Sequence, residues 1–361
     1  MLVKQKYTGN QVVKAGRAFR DFDGLLKDDA MFDANMEVLS YWRASHENPL
    51  DRALETLEQV VSKKDKNAFY AKRLKRYVSI VNKLVLHEEM SLKNMQDIGG
   101  CRAVVGNEKK LRQSIRELKR LSNFRFDNGK YKYKDYVKKP KDSGYRGFHL
   151  IGKFPDQDNN LKSIEVQIRT RIQHYWATTV EIVDLFTDQA LKSNQGEQIW
   201  KEFFIYTSHQ FSVMESGHLF EGLDKQSKRE IYRSLLIRNP ELNDSRIQAK
   251  KISKTLKVVK KLEAFSNSLK IIGKRLDSEE AYTGYVLLTI DTEEKTVFSA
   301  LFPAQDSKNA EHAYTAAEKA STSKEVVALV SSGAIDNLKE AYPNYFADSS
   351  KFVELLKLIC Q

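Results

Sequence analysis

The residues of this chain best suited to chemistry lie in two stretches. In Ser163–Ala177, SIEVQIRTRIQHYWA, the polar residues Glu165, Gln167 and Arg169 alternate with Ile164, Val166 and Ile168. A period of two with β-branched residues on one side predicts a half-buried strand. Its other face then presents a carboxylate, an amide and a guanidinium in a row. A second carboxylate, Asp97, precedes the pair Gly99-Gly100 and a short apolar run. Two carboxylates amid cations can hold Mg2+ on a nucleotide's phosphates, and one can accept a proton from an attacking hydroxyl. Lysines and arginines nearby would neutralise charge moving through a phosphoryl transition state. A solvated strand and an ordinary glycine turn are the other uses of these patterns.

Several chemistries have no support. No Gly-rich loop ends in Gly-Lys-Ser/Thr, which leaves a P-loop without its signature. No His-Asp dipeptide occurs, against a phosphohydrolase of the HD type. The seven histidines stand singly, without metal-ligand spacing, and no Ser-His-Asp or Cys-His signature is present. Two cysteines, Cys101 and Cys360, exclude a disulfide framework and a cysteine-rich zinc site. The expected compartment is a reducing cytoplasm, since no membrane-length apolar run or signal-peptide core is seen. A net charge of +12 suits a polyanionic partner, nucleotide or RNA, although a basic surface also has bland causes.

The positioning elements read as follows. At 361 residues there is room for two domains. Residues 10–95 are expected to be helical, broken at Asn48-Pro49, with Phe69–Leu86 a basic helix or helix pair. From Asp97 a loop enters a short strand, followed by a helix over Lys109–Leu121. Tyr131–Tyr136, Phe148–Phe154 and Ile164–Arg169 are expected strands, and a helix starts at Ile172. The fold class is therefore α/β (α+β), a mixed β-sheet flanked by helices. Glu108–Arg146 holds fourteen Lys/Arg against five Asp/Glu, interleaved with four tyrosines. Such a mixture can grip a phosphate backbone and stack bases, or simply face solvent. Residues 172–275 read as helical. A small unit then follows: a hairpin of Tyr285–Asp291 and Thr296–Phe302, a helix over Ala310–Ala320, a strand over Val326–Val330 and a helical region holding Leu338–Tyr342.

At this point the chain resembles the synthetase domain of the RelA/SpoT family, the (p)ppGpp pyrophosphokinases. Arg73-x-Lys75 with Ser79-Ile80-x-x-Lys83-Leu84 resembles its ATP-binding basic motif. Asp97-Ile-Gly-Gly-Cys-Arg102 resembles the block whose aspartate binds magnesium. Asp135-Tyr136 through Pro140-Lys141 and Gly144-Tyr145-Arg-Gly-Phe-His149 resembles its acceptor-binding loop. Glu165-Val-Gln167-Ile-Arg169-Thr170 resembles the strand that carries its catalytic glutamate. The resemblance covers about residues 40–190 and implies a nucleotidyltransferase-like fold. The implied reaction moves the β,γ-pyrophosphate of ATP to a ribose 3′-hydroxyl. Glu165 and Asp97 would be catalytic and share Mg2+, while Arg73, Lys75, Ser79, Lys83, Arg102, Gln167 and Arg169 would face ATP. Tyr145, Lys141 and His149 would face the acceptor. Ser79 reads equally as a cap, Gln167 as a residue orienting Arg169, and His149 as a core histidine.

Three departures bear on the acceptor: Ser143 and Gly147 stand for the family's Asn and Ser, and Val180 for a glutamate, with Glu181 beside it. The flanks Val13–Gly16, Trp42–Leu50 and Ala341–Phe346 resemble a longer branch that includes the CapRel fused toxin–antitoxins. That resemblance implies a pyrophosphokinase toxin acting on the 3′ CCA end of tRNA. It also implies inhibition by a C-terminal degenerate zinc finger with terminal helices, and release by a phage capsid protein. Tyr342 and Tyr345 resemble the branch's inhibitory tyrosine motif, although tyrosines three apart on a helix also pack a core. The implied partition is 1–200 toxin domain, 201–275 helical connector and 276–361 regulatory domain. Neither a membrane nor DNA is an expected partner.

Overall fold

The computed structural model describes residues 7–126, 128–187, 191, 196–216, 222–278, 283–291, 294, 296–322, 324–335 and 345–361. Contacts divide the chain into two units: Met1–Asp135 with Gly147–Arg169, and Tyr136–Arg146 with Thr170–Gln361.

The first unit begins with helices α1 (Gly9–Ala18), α2 (Phe22–Leu25), α3 (Asp29–Ala44) and α4 (Glu47–Val61). Thr8 starts α1 with a capping box, exchanging hydrogen bonds with Gln11 and so satisfying two end donors. The helix break predicted at Asn48-Pro49 falls instead at Ser45-His46, and Pro49 lies in the first turn of α4. Proline is tolerated there because a first-turn N–H has no helical partner to lose. Val12, Phe19, Leu39, Ile80, Leu84 and Ile98 close the core of this helical layer.

Next come β1 (Phe69–Leu74), α5 (Tyr77–Leu86), β2 (Gly99–Val105), α6 (Glu108–Leu118), β3 (Tyr133–Asp135), β4 (Phe148–Pro155) and β5 (Leu161–Thr170). They form a mixed sheet in the order β1-β2-β5-β4-β3. The helix expected over Phe69–Leu86 is thus corrected to a strand followed by a helix. Its apolar residues recur at helical spacing, but β1 pairs antiparallel with β2 from Phe69↔Val104 to Leu74↔Gly99. As an edge strand it exposes Lys72 and Arg73, which blurs a period-two pattern.

β5 lies centrally, and Ile164, Val166 and Ile168 are fully buried. The glycine pair beside Asp97 forms neither a turn nor a left-handed bend; it opens β2. A Cβ at Gly99 would stand 2.7 Å from Ile164 Cδ1, so this glycine lets β2 pack closely on the core.

The second unit comprises α7 (Arg171–Thr187), α8 (Gln198–Ser216), α9 (Lys225–Arg238), α10 (Asn243–Thr255), α11 (Val258–Ser278), β6 (Gly284–Asp291), β7 (Val297–Pro303), α12 (Ser307–Ala320), β8 (Glu325–Ser331) and α13 (Tyr345–Cys360). β6 is central in an antiparallel sheet of order β7-β6-β8. One core joins Trp176, Phe203, Phe265, Val286, Val330 and Phe352. Tyr342 and the helical region expected over Leu338–Tyr342 lie outside the described residues, as does the side chain of Tyr345 at the start of α13. Among the described residues no helix is long and apolar enough to cross a membrane.

Gly152 provides a direct test of how tightly β4 is packed. A Cβ there would stand 2.5 Å from Phe154 Cε2 and 2.8 Å from Phe124 Cε1, two buried rings meeting edge to face. Gly152→Ala is expected to destabilise the fold by about 1–3 kcal/mol, the usual cost of overpacking, as measured by urea unfolding. An unchanged midpoint would mean that this layer yields.

Candidate active site

Strand geometry places the first cluster of site residues. Asp97 sits just before β2, and Lys75 just after its neighbour β1, whose backbone is tied in by Lys75 N–H donating to Ile98 O at 2.7 Å. Lys83 comes from α5. Asp97 Oδ2 accepts from Lys75 Nζ at 3.1 Å and from Lys83 Nζ at 2.8 Å. Burial would push the Asp97 carboxyl upward, but the two ammonium groups outweigh it and hold the carboxyl below its usual range. Among the described residues, Asp97 Oδ1 is buried and finds no hydrogen-bond partner. A buried carboxylate oxygen left in that condition is costly unless something cationic or protic meets it.

The second cluster runs along β5. His149 and Gln167 are paired across β4 and β5. Glu165 Oε1 meets His149 Nδ1 at 2.9 Å, and Glu165 Oε2 accepts from Gln167 Nε2 at 2.6 Å. Arg169 Nη2 in turn donates to Gln167 Oε1 at 3.1 Å. Gln167 therefore does more than orient Arg169: it bridges the guanidinium to the carboxylate. Burial raises the Glu165 carboxyl, yet the His149 hydrogen bond and charge, the Gln167 amide and the charge of Lys83 together bring it down to about 2. Lys83 thus acts on both carboxylates. Each is ionised at neutral pH, in partly buried surroundings where charge interactions are strong.

The remaining expected residues are distributed as follows. Arg73 lies on exposed β1, opposite Gly100 on β2; Arg102 lies on β2, opposite Ala71. Ser79 sits half-buried in the first turn of α5. Tyr145 and Lys141 belong to the second unit. There Lys141 Nζ lies 4.9 Å from the Tyr136 ring centroid and 5.2 Å from that of Tyr145.

One residue of the first unit had no site role in the sequence reading. Arg43, on α3, donates from Nε to Lys75 O at 2.9 Å, and its guanidinium lies 4.9 Å from the Tyr77 ring centroid. It fixes the backbone that carries Lys75. No local spacing signals it, because the partners are 32 positions apart.

Residues 72–183 match the family model described as the region found in RelA / SpoT proteins. The chain is 34% identical over 114 residues to the GTP pyrophosphokinase YwaC of Bacillus subtilis (strain 168), covering 29% of this chain and 52% of that protein. It is 32% identical over 118 residues to the GTP pyrophosphokinase YjbM of the same organism, covering 30% of this chain and 53% of that one. The chain thus spans about half the length of these curated relatives. Among solved structures, it is similar to small alarmone synthetase 1 from Bacillus subtilis bound to pppGpp, with 22% identity and a TM-score of 0.38, covering 47% of this chain and 90% of that one. Small alarmone synthetase 2 gives 23% identity and a TM-score of 0.39, covering 46% and 89%. The matched residues 72–183 hold both carboxylates, Asp97 and Glu165, and both lysines, Lys75 and Lys83.

Both carboxyls are depressed in the folded state, so their ionised forms contribute stability above the unfolded carboxyl range, and this is lost as pH falls through the folded values. Denaturant unfolding of the wild type and Glu165→Gln should therefore differ by a constant amount above about pH 5, with the gap closing toward pH 2. A gap that widens on acidification would mean that Glu165 is protonated in the fold.

Proposed function

We propose that this chain is an ATP-dependent pyrophosphokinase that moves the β,γ-pyrophosphate of ATP to a ribose 3′-hydroxyl. The observation carrying this reading is the pair Asp97 and Glu165, both ionised, on neighbouring elements and under the influence of one lysine, Lys83. The hydroxyl oxygen attacks the β-phosphorus, the bond from that phosphorus to the α,β-bridging oxygen breaks, and AMP leaves. Glu165 accepts the hydroxyl's hydrogen bond, orients it, and takes its proton late in the transfer, releasing it to solvent. With its pKa near 2 it is a weak base, which suits a transition state in which the proton departs late. Lys75, Lys83, Arg73 and Arg102 supply positive charge for the phosphates, with Ser79, Gln167 and Arg169 completing the ATP side. Lys141, Tyr145 and His149 serve the acceptor.

The donor set fits Mg2+ at Asp97, where Oδ1 is buried and unpartnered among the described residues. It fits less directly at Glu165, whose two oxygens already take hydrogen bonds from His149 and Gln167. One or two carboxylates plus substrate phosphates are the ordinary setting of this ion. When bound it would neutralise charge on the transferring group.

For the acceptor we infer the 3′ CCA end of tRNA, in a fused toxin–antitoxin with residues 1–200 as toxin, 201–275 as connector and 276–361 as inhibitor. Tyr342 and Tyr345 would restrain the enzyme until a phage capsid protein releases it, giving abortive infection. The basic, tyrosine-rich Glu108–Arg146 segment and the resemblance of the flanks support this reading. A second reading, in which the acceptor is a guanosine or adenosine nucleotide and the product (p)ppGpp or (p)ppApp, is favoured by the names of the two Bacillus relatives, both GTP pyrophosphokinases.

The test is transfer of label from ATP marked at the γ-phosphate, with deacylated tRNA, GDP and ADP offered separately. It should use the full chain and a chain cut after residue 275, each with and without phage lysate. Label on tRNA that appears only after truncation or lysate addition supports the toxin reading; label on GDP from the untouched chain supports the alarmone reading. Glu165→Gln is expected to lower transfer by about 10²–10⁴-fold. Wild-type transfer by that variant would remove Glu165 from the chemistry.

A further inference from the structure

The loop Tyr136–Arg146 carries Lys141 and Tyr145, and what holds it is a helix outside the matched residues 72–183. We propose that Glu215, on α8, is a positioning residue that sets this loop for the acceptor. The proposal rests on the reading of Lys141 and Tyr145 as acceptor contacts.

The trailing end of the loop is held by charge. Arg146 Nη1 donates to Glu215 Oε2, and the two side chains are only 10% and 2% exposed. The same carboxylate accepts from the Thr170 hydroxyl and, at 3.3 Å, from Gln173 Nε2. Thr170 and Gln173 are themselves locked together, with Thr170 N–H donating to Gln173 Oε1 at 3.1 Å and Gln173 N–H donating to Thr170 Oγ1 at 3.2 Å. Glu215 thus ties three things to one point: the loop, the last residue of β5 and the first turn of α7. A buried pair is weak as a source of stability, because desolvation offsets its attraction, but it strongly penalises any arrangement that separates the charges. That is the property a positioning contact needs.

The middle of the loop is held by close approach. Ser208 Oγ, also on α8, donates to Gly144 O at 2.5 Å. Gly144 has φ +85°, and a Cβ there would lie 3.1 Å from Ile205 Cα and 3.2 Å from Phe204 O. The turn is closed by Gly144 N–H donating to Lys141 O at 2.8 Å and Lys141 N–H donating to Tyr145 O at 3.1 Å. Tyr145 then stands 6.4 Å from the Trp176 ring, edge-on, and the Trp176 indole donates to Phe204 O at 2.9 Å. One helix therefore determines where both proposed acceptor contacts stand. Of these two side-chain contacts from α8, Ser208 and Glu215, the second carries charge.

The test separates positioning from general structure by a split in Michaelis constants and by hydrogen exchange. Glu215→Gln keeps the shape of the side chain but leaves Arg146 without its counter-charge. In the transfer assay it is expected to raise KM for the acceptor about ten- to a hundredfold, as small misplacements do, while KM for ATP stays within about twofold. Amide exchange should quicken over residues 137–146 and not over 72–105. Ser208→Ala should act in the same direction, more weakly. Unchanged acceptor KM and loop exchange would overturn the proposal, as would parallel rises in both Michaelis constants with faster exchange across the whole chain. If the wild type labels none of the acceptors, the pyrophosphokinase reading fails on its own. Exchange then decides the clamp: a loop still protected in Glu215→Gln overturns it, and a loop that opens upholds Glu215 as its anchor.

Discussion

The alternation along β5 is the constraint on which the candidate site depends. Ile164, Val166 and Ile168 are fully buried, and the strand's period of two sends Glu165, Gln167 and Arg169 to the opposite face. A slip of one residue would turn a carboxylate, an amide and a guanidinium into the apolar core and three β-branched side chains out of it, so the register is strongly specified. The antiparallel pairing with β4 then brings His149 opposite Gln167 and beside Glu165. The hydrogen-bonded series Arg169–Gln167–Glu165–His149 follows from that register.

A second constraint is electrostatic. Asp97 and Glu165 are carboxylates in partly buried positions, where desolvation alone would favour protonation. Neighbouring cations reverse this in both cases, with Lys83 acting on each. The lysines are anchored in turn through the backbone: Lys75 N–H donates to Ile98 O and Lys75 O accepts from Arg43. The charged groups are therefore held by elements whose own positions are set by apolar packing, the arrangement that preorganised electrostatic catalysis requires.

In the second unit α8 has two distinct neighbours. Ser208 and Glu215 meet the loop Tyr136–Arg146, while Phe203, Phe204 and Phe211 pack around Phe352 of α13, the closest ring contact being 5.1 Å to Phe211. α13 is also joined to α7 through the buried His174–Asp348 contact at 3.0 Å. A C-terminal helix and the loop Tyr136–Arg146 thus share one support, α8.

Local pattern carried much of this in the sequence itself. The alternation of Ile164–Arg169, the shift to strand character after Asp97 and the hairpin over Tyr285–Phe302 are short-range signals, and the strands form there. The Asp97, Lys75 and Lys83 triad and the Glu165, Gln167 and Arg169 series were legible as residue types at family-like spacing. Tertiary structure decided the rest. β1 reads as helix because an edge strand with two exposed cations has little period-two pattern, and only pairing with β2 makes it a strand. Gly99 reads as a turn glycine because its need for space comes from Ile164, more than sixty positions away. Arg43 and Glu215 carry no local signal of what they hold, since Lys75 O and Arg146 lie 32 and 69 positions distant. Periodicity reports which face of an element is buried, and has no access to which distant backbone or charge will arrive there.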